Sequence, residues 1–268
     1  MSFSFDLDRI GGRHALAALV DEVVGAGEDA LRLYRGGAAA RVQIKPDRSP
    51  VTEADQAVEN RIRGYLAGRY PTAAFLGEET GASPESNASL RFVVDPIDGT
   101  RAFVRGIPTW SILVGLEADS VPSVGIAYFP ATGDLYVGVR GDGATGNGRP
   151  LAVSSVRELA DACICHGSLQ QFTEYGYRHL LPKLGERTHT QRGFADFDGF
   201  RNVLHGRADA MVDPGVQPWD LCAAAVLVRE AGGEFSSMKG EDTIFGRSAL
   251  ATNGHIHNAL VALCNEPA

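Results

Sequence analysis

Several features that would assign this chain to a particular class of protein are missing from its sequence. Its 268 residues include only four cysteines, and none has the C-x2-C spacing of a zinc site. No run of about 18 apolar residues occurs, which argues against a transmembrane helix. Basic residues are outnumbered 25 to 33 by acidic ones, and the net charge of −8 argues against a nucleic-acid-binding surface.

The first residues, MSFSFDLDRIGG, lack the basic and apolar regions of a signal peptide. The composition is otherwise ordinary for a globular protein, with 44% hydrophobic and 22% charged residues. A chain of this length can bury a large core as one domain or as two closely packed halves. We therefore expect a cytoplasmic enzyme that acts on a small molecule and binds neither nucleic acid nor membrane.

The first half of the chain predicts two helices followed by a sheet. Apolar residues recur at helical spacing from about residue 12 to 35. A second helix is expected to begin near Thr52, because TEAD places Asp55 three residues after a threonine, as in a capping box. Short apolar segments separated by turn residues follow from about 91 to 140, and they indicate an antiparallel meander.

The pattern changes near residue 150, where strands and helices begin to alternate. A strand near Cys163 precedes a helical stretch near 170–184, and PWDLCAAAVLVREAGG is apolar nearly all round, as a buried helix would be. We predict layered helices and sheets in a single α+β domain, with an N-terminal half (about 1–150) and a C-terminal α/β half (about 151–268).

Acidic residues stand at the ends of several predicted elements. Each one has an ordinary interpretation, such as a helix cap, a turn or a solvated loop. Those interpretations do not explain why the apolar run RFVVD ends on an acid that is followed three residues later by another. Two carboxylates about 4 Å apart repel by about 4 kcal/mol at an effective dielectric of 20. The acids concerned are Asp55, Glu78, Glu79, Asp95, Asp98 and Asp220.

A bound cation would relieve this repulsion. Carboxylates without a nearby cluster of histidine or cysteine favour Mg²⁺ or Mn²⁺ over zinc, and two such ions form a clamp for in-line phosphoryl transfer. Pro96 prevents Ile97 from simply continuing the strand and could turn its carbonyl toward a metal. Gly99 and Thr100 then offer backbone N–H groups suited to a phosphate.

These stretches resemble the inositol monophosphatase family, whose members are Mg²⁺-dependent phosphatases. The carrying motifs are VVDPIDGTRAFVRGIP and PWDLCAAAVLVREAGG, supported by SPVTEADQAVE, FLGEE and GDGATGNGRPLAVS. The resemblance covers about residues 12 to 264. It implies the layered α-β-α-β-α sandwich of the inositol monophosphatase/fructose-1,6-bisphosphatase superfamily, and homodimers by analogy.

The resemblance also implies roles for individual residues. Two or three Mg²⁺ ions, with Mn²⁺ as a possible substitute, would be held by Glu78, Asp95, the Ile97 carbonyl, Asp98 and Asp220. Asp55 and Thr100, with Glu78 as a metal ligand, would activate the attacking water, and the amides of Gly99 and Thr100 would bind phosphate. Because all these acids are present, we disfavour a non-catalytic, regulatory member of the family. A role for Lys45 is left open.

The second half of the chain should select the substrate. DGTRAFVRG and DFDGFRNVLHGRADAMVDP resemble the histidinol-phosphate phosphatase branch of the family, which acts in histidine biosynthesis. Asp196 and Asp213 would then bind a cationic leaving group. Asp196 could instead be a surface acid, and Asp213 a strand-end acid. Arg192 and Arg201 could line the pocket or be solvated.

Alternative substrates remain open at this point. An inositol 1-phosphatase or a broad sugar-phosphate monoesterase is the second possibility, and a nucleotide 3′-phosphatase is the third. The pocket sequence favours histidinol phosphate because it carries two acids where inositol phosphatases commonly show one acid and small residues.

Overall fold

The computed structural model describes residues 4–36, 42–44, 50–84 and 88–267. In these residues the chain forms two main sheets, a two-stranded ribbon and eight α-helices. The helices are α1 (Gly12–Arg35), α2 (Glu53–Arg69), α3 (Thr100–Val104), α4 (Leu169–Glu174), α5 (Leu180–Arg187), α6 (Asp196–Leu204), α7 (Pro218–Glu230) and α8 (His257–Cys264). No helix in these ranges is both long enough and apolar enough to cross a membrane.

The larger sheet has eight strands and is mostly antiparallel. Its strands, in spatial order, are β10 (Arg149–Pro150), β9 (Gly143–Gly146), β8 (Asp134–Val139), β7 (Val121–Phe129), β6 (Ser111–Ala118), β5 (Leu90–Asp98), β3 (Ala74–Gly77) and β4 (Gly81–Ala82). Strands β5 to β8 form the predicted meander, and β3 joins β5 in parallel.

The smaller sheet is mixed and comes from the second half of the chain. Its order is β12 (Thr190–Arg192), β11 (Cys163–His166), β13 (Ala210–Pro214), β15 (Ser248–Thr252) and β14 (Glu234–Ser236). Strand β11 pairs in parallel with both neighbours, whereas β15 is antiparallel to both of its own. A short ribbon of β1 (Gln43–Ile44) and β2 (Pro50–Val51) precedes α2.

The elements stack in five layers. Helices α1 and α2 cover one face of the large sheet, while α6 and α7 lie between the two sheets. Helices α4, α5 and α8 pack on the outer side of the small sheet. Alternation along β6 separates the cores: Ile112 and Val114 belong to the cluster with α1 and α2, and Leu113 belongs to the cluster with α7. The expected α-β-α-β-α order is confirmed.

Helix α7 approaches the large sheet closely because glycine pairs with glycine across two strands. Gly115 of β6 lies opposite Gly125 of β7. A Cβ at Gly115 would stand 2.4 Å from Cys222 Sγ, and one at Gly125 would stand 2.6 Å from the Ala223 carbonyl oxygen. Glycine is therefore required at both positions, and the small residues that follow Leu221 in α7 are packed directly against the sheet.

The helical stretch expected near 170–184 is present but interrupted. The stretch near 170–184 is two helices, α4 and α5, and Gly176 between them has a φ of +85°. That left-handed conformation favours glycine and is incompatible with a continuous helix. The strands β12 and β14, three residues each, were also not anticipated, because segments so short carry little periodicity.

Candidate active site

A buried bulge at the end of β5 places two of the predicted acids. Asp95 pairs with Leu113 of β6 and Asp98 with Ser111, so three steps on β5 match two steps on its neighbour. Pro96 lies inside this irregularity, where a missing N–H costs no ladder hydrogen bond. Ile97 N–H donates to Asp95 Oδ1 over 3.0 Å. Asp95 and Asp98 are both buried, with exposures of 2% and 6%.

The third acid of the cluster comes from α7. Asp220 lies in the first turn of this helix, where its Oδ2 accepts the Gln217 N–H over 2.7 Å in a capping box. Because α7 packs closely against the large sheet, this turn lies at the end of β5. One carboxylate oxygen from each of Asp95, Asp98 and Asp220 lies within 4.8 Å of the others.

The mutual proximity of these acids perturbs their ionisation. Burial, followed by the charges of Glu78 and Asp220, raises the pKa of Asp95 well above its usual value. Burial and the charges of Asp196 and Asp220 do the same for the pKa of Asp98. Burial, only partly offset by the Gln217 N–H, raises the pKa of Asp220 to about 7. The protein alone does not compensate this negative charge.

The donor set fits divalent cations such as Mg²⁺. Three carboxylates converge, and each has one oxygen already occupied by a protein donor, which leaves the second oxygen for a metal. In Asp98, Oδ2 accepts from Ser111 Oγ and from the Phe197 N–H, both at 2.9 Å. Glu78 is half-buried in the loop after β3, and its charge acts on both Asp95 and Asp220.

Asp55 and Thr100 meet beside this cluster. Thr100 Oγ1 is 3.2 Å from Asp55 Oδ1 and 3.0 Å from the Ile97 carbonyl oxygen, and its single hydrogen can serve only one of them. The predicted capping box is present, and Asp55 Oδ2 accepts both the N–H and the hydroxyl of Thr52. Burial raises the pKa of Asp55, although the bonds from Thr52 oppose this shift.

The turn at the start of α3 is where the sequence predicts that a phosphate group binds. Gly99 precedes this short helix with a φ of +80°, a left-handed conformation that suits glycine. A Cβ there would stand 3.0 Å from Asp196 Oδ2. Gly99 thus lets Asp196 approach the turn that carries the predicted phosphate-binding amides of Gly99 and Thr100.

The two acids predicted to bind the leaving group lie near the same cluster, because the charge of Asp196 acts on both Asp98 and Asp213. We call the region between these two acids and Asp95, Asp98 and Asp220 the cleft. Asp196 begins α6 with a φ of +56°, which is unusual for a residue with a side chain. Asp213 is 4% exposed at the end of β13, and its Oδ1 has no hydrogen-bond partner among the described residues. Burial, then the charges of Asp196 and Asp220, raises the pKa of Asp213 well above its usual value.

The residues left open by the sequence fall into three situations. Arg192 is exposed on the edge strand β12, where it donates to Thr190 Oγ1 over 2.8 Å. Arg201 pairs with Asp198 and lies over the Phe129 ring, 4.3 Å from its centroid, so it is a packed side chain of α6 and not a solvated charge. Lys45 lies outside the described residues.

Sequence reasoning missed the groups that hold the acids in place. Ser111, Glu59 and the Phe197 amide are distant in sequence from the residues they contact. Glu59 alone offered a local signal, because it follows Asp55 by four residues and so shares its face of α2.

Comparisons with known proteins agree with this geometry. A histidinol-phosphatase of Mycobacterium tuberculosis is 39% identical over 94% of this chain and 95% of its own length. An inositol monophosphatase 3 of Solanum lycopersicum is 33% identical over 92% and 96%. The crystal structure of the extragenic suppressor protein suhB from Bartonella henselae superposes with a TM-score of 0.86, at 30% identity over 95% of this chain and all of that one.

The model of the inositol monophosphatase family matches residues 13–266, nearly the whole chain. Proteins of this family are metal-dependent phosphatases that hydrolyse phosphate monoesters, and the convergence of Asp95, Asp98 and Asp220 is in keeping with that chemistry. By this match and by its relatives, the chain belongs to the inositol monophosphatase family.

Proposed function

We propose that this phosphatase hydrolyses L-histidinol phosphate to L-histidinol and phosphate, using Mg²⁺. The observation that carries the proposal is that two further acids, Asp196 and Asp213, lie near the acidic cluster, where they could bind a leaving group. Asp213 Oδ1 is buried without a hydrogen-bond partner among the described residues. Histidinol phosphate has an ammonium and an imidazole, which would give such acids charge-assisted partners.

The metal side of the cleft would contain two or three ions. Glu78, Asp95 and the Ile97 carbonyl would hold one ion, and Asp95, Asp98 and Asp220 another; a third would depend mainly on Glu78 and water. When bound, these cations would neutralise the phosphate and make a water molecule more acidic. Mn²⁺ has the same preference for oxygen ligands and is expected to substitute.

The chain's own groups would orient and deprotonate the attacking water. Thr100 Oγ1 and Asp55 Oδ1, 3.2 Å apart, form a pair that can hold a water and take its proton. Burial raises the pKa of Asp55, which makes its carboxylate a stronger base than an ordinary aspartate. The Gly99 and Thr100 amides would orient the phosphoryl oxygens. The water oxygen would form a bond to phosphorus as the P–O bond to the leaving group breaks, and the departing alkoxide would take a proton from solvent water. No covalent intermediate on the protein is required.

A broader inositol-type or sugar-phosphate phosphatase is the second candidate. It is favoured by the inositol monophosphatases among the relatives, which are about as long as this chain. Such an enzyme would use Asp213 to accept hydroxyl groups and would have no need of a second acid at Asp196. We also propose a homodimer, by analogy with the family alone.

The test is phosphate release with Mg²⁺ from four substrates: histidinol phosphate, inositol 1-phosphate, fructose 1,6-bisphosphate and 3′-phosphoadenosine 5′-phosphate. We expect kcat/KM for histidinol phosphate to be at least about a hundredfold higher, equivalent to about 2.7 kcal/mol. A flat profile, or a preference for inositol 1-phosphate, would contradict the proposed substrate.

Asp196→Asn refines this test. Loss of its charge should raise KM for histidinol phosphate more than KM for inositol 1-phosphate, because only the first substrate is cationic at its leaving group. Equal effects on the two substrates would remove Asp196 from the leaving-group site.

A further inference from the structure

The loop that carries Glu78 is held by a buried carboxylate from another element. Residues 78–80 connect β3 to β4, and Gly77 and Gly81 pair across the start of this hairpin. Glu59 of α2 accepts the Glu79 N–H at Oε2 and the Thr80 N–H at Oε1, both over 2.8 Å. Both oxygens of one side chain therefore bind consecutive amides of the loop.

Glu59 is fully buried, with 0% exposure, and this burial is unusual for a glutamate. Glu59 is therefore not a solvated surface acid. A Cβ at Gly77 would stand only 2.6 Å from the Glu59 carboxylate, so the glycine gives the side chain room to reach the loop. The contact is thus built by three segments: α2, the end of β3 and the loop itself.

The same face of α2 also carries Asp55. The two acids are four residues apart, so they project from one face of the helix at successive turns. Asp55 contacts Thr100 after β5, and Glu59 holds the loop after β3. Helix α2 therefore connects the pair expected to activate water with the loop expected to supply a metal ligand.

We propose that Glu59 is a positioning residue for the metal site, which acts by fixing the backbone that presents Glu78. It touches neither metal nor substrate. By accepting the two amides that follow Glu78, it fixes the direction in which that side chain leaves the loop. Mutation of a group that orients a metal ligand typically weakens metal binding or activity by about 10- to 100-fold. This inference rests on the proposed role of Glu78 as a metal ligand.

Glu59→Gln tests the proposal, because it keeps the size of the side chain but presents an NH2 group to one of the two amides. We expect the dissociation constant for Mn²⁺, measured by calorimetry and by electron paramagnetic resonance without substrate, to rise about tenfold. Asp209→Asn is the matched control. Asp209 is also a buried acid that accepts a backbone amide, that of Cys163 at the start of β11, but it lies at the opposite end of β13 from Asp213.

An unchanged Mn²⁺ affinity in Glu59→Gln, together with a loss of thermal stability like that of Asp209→Asn, would overturn the proposal and leave Glu59 a structural residue only. If Glu59→Gln does not fold, Glu59→Asp keeps the charge and withdraws the carboxylate by one methylene. The same rise in the dissociation constant is then expected, and its absence has the same meaning.

Glu78→Gln, measured in the same way, separates this inference from the proposal on which it rests. If Glu78→Gln weakens Mn²⁺ binding and the Glu59 variants do not, only the inference fails. If Glu78→Gln has no effect, the assignment of Glu78 as a ligand fails instead. Neither result depends on which phosphate ester is the substrate.

Discussion

The carboxylates on the two sides of the cleft differ in their hydrogen-bond partners. On the side of β5 and α7, the acids expected to hold metal already accept protein donors, such as Ser111 Oγ for Asp98 and the Gln217 amide for Asp220. On the opposite side, Asp213 is equally buried but leaves Oδ1 without a partner among the described residues. Protein donors fix the geometry of the first group, whereas Asp213 Oδ1 retains its capacity to accept a donor from a ligand.

This difference indicates how the two sides should respond to substitution. Changes on the metal side should impair the hydrolysis of every substrate alike, because they act on the chemical step. Changes on the leaving-group side should depend on the substrate, because they alter recognition and leave the reacting phosphate untouched.

Asp95→Asn should have the largest effect. Asp95 is the acid proposed to contact two cations, and the loss of its charge should lower kcat more than about a thousandfold, or about 4 kcal/mol, with any substrate. Steady-state assays at saturating Mg²⁺ will measure this. Asp119→Asn, which breaks only an exposed ion pair with Arg9, is the control and should keep full activity. Retained turnover in Asp95→Asn would refute its bridging role.

Thr100→Val should have the next largest effect. It removes the hydroxyl 3.2 Å from Asp55 Oδ1 while keeping a β-branched side chain, and we expect kcat to fall about a hundredfold. Thr145→Val in β9 provides a comparison in a strand distant from the acids and should leave kcat unchanged. If Thr100→Val altered KM alone, Thr100 would bind substrate without helping to activate water.

Asp213→Asn should have a smaller and substrate-dependent effect. The loss of one charge-assisted hydrogen bond should raise KM for histidinol phosphate about tenfold, or about 1.4 kcal/mol, with kcat changed only a few-fold. Assays with the four-substrate panel will show whether the change is selective. A fall in kcat as large as that of Thr100→Val would erase the distinction between the two sides of the cleft.

The smallest predicted effect is on protein stability: Asp98→Asn should impair hydrolysis as other metal-side changes do, but without metal it should stabilise the fold. In EDTA the uncompensated acids repel, so deleting one charge should stabilise the protein by about 1 kcal/mol, or about 2–4 °C in Tm for a chain of this size. The amide oxygen can still accept from Ser111 and Phe197. Added Mg²⁺ should raise the Tm of the wild type more than that of the variant, as calorimetry can test.

A lower Tm for Asp98→Asn in EDTA would mean that its hydrogen bonds outweigh the repulsion. Asp119→Asn again serves as the control, since its charge lies outside the cleft and its Tm should respond to Mg²⁺ as the wild type does.

Much of the fold could be predicted because its signals are local. The capping box at Thr52 and Asp55, the meander of β5 to β8 and the buried helix α7 all follow from the spacing of residues close in sequence. The break within the helical stretch expected near 170–184 was not predicted, because the positive φ of Gly176 is a property of the folded backbone.

The residues of the site likewise differ in whether a local sequence signal predicts them. The acids were identifiable because each interrupts an apolar element or begins a helix. The donors that hold them, such as Ser111 and the Phe197 amide, were not, because these contacts join residues 13 and 99 positions apart. Only the packing of α6 and β6 against the end of β5 brings them together, and no local pattern encodes it.

The glycine pair beneath α7 has a consequence for how the enzyme can vary. Because Gly115 and Gly125 bring the helix almost onto the strand backbone, the separation of Asp220 from Asp95 is governed by main-chain thickness and not by flexible side chains. A single added methyl at either position would lift the helix and widen the gap between the acids. Substitutions at Asp196 or Asp213 would therefore leave the position of this helix unchanged, whereas the spacing of Asp220 from Asp95 depends on both glycines together.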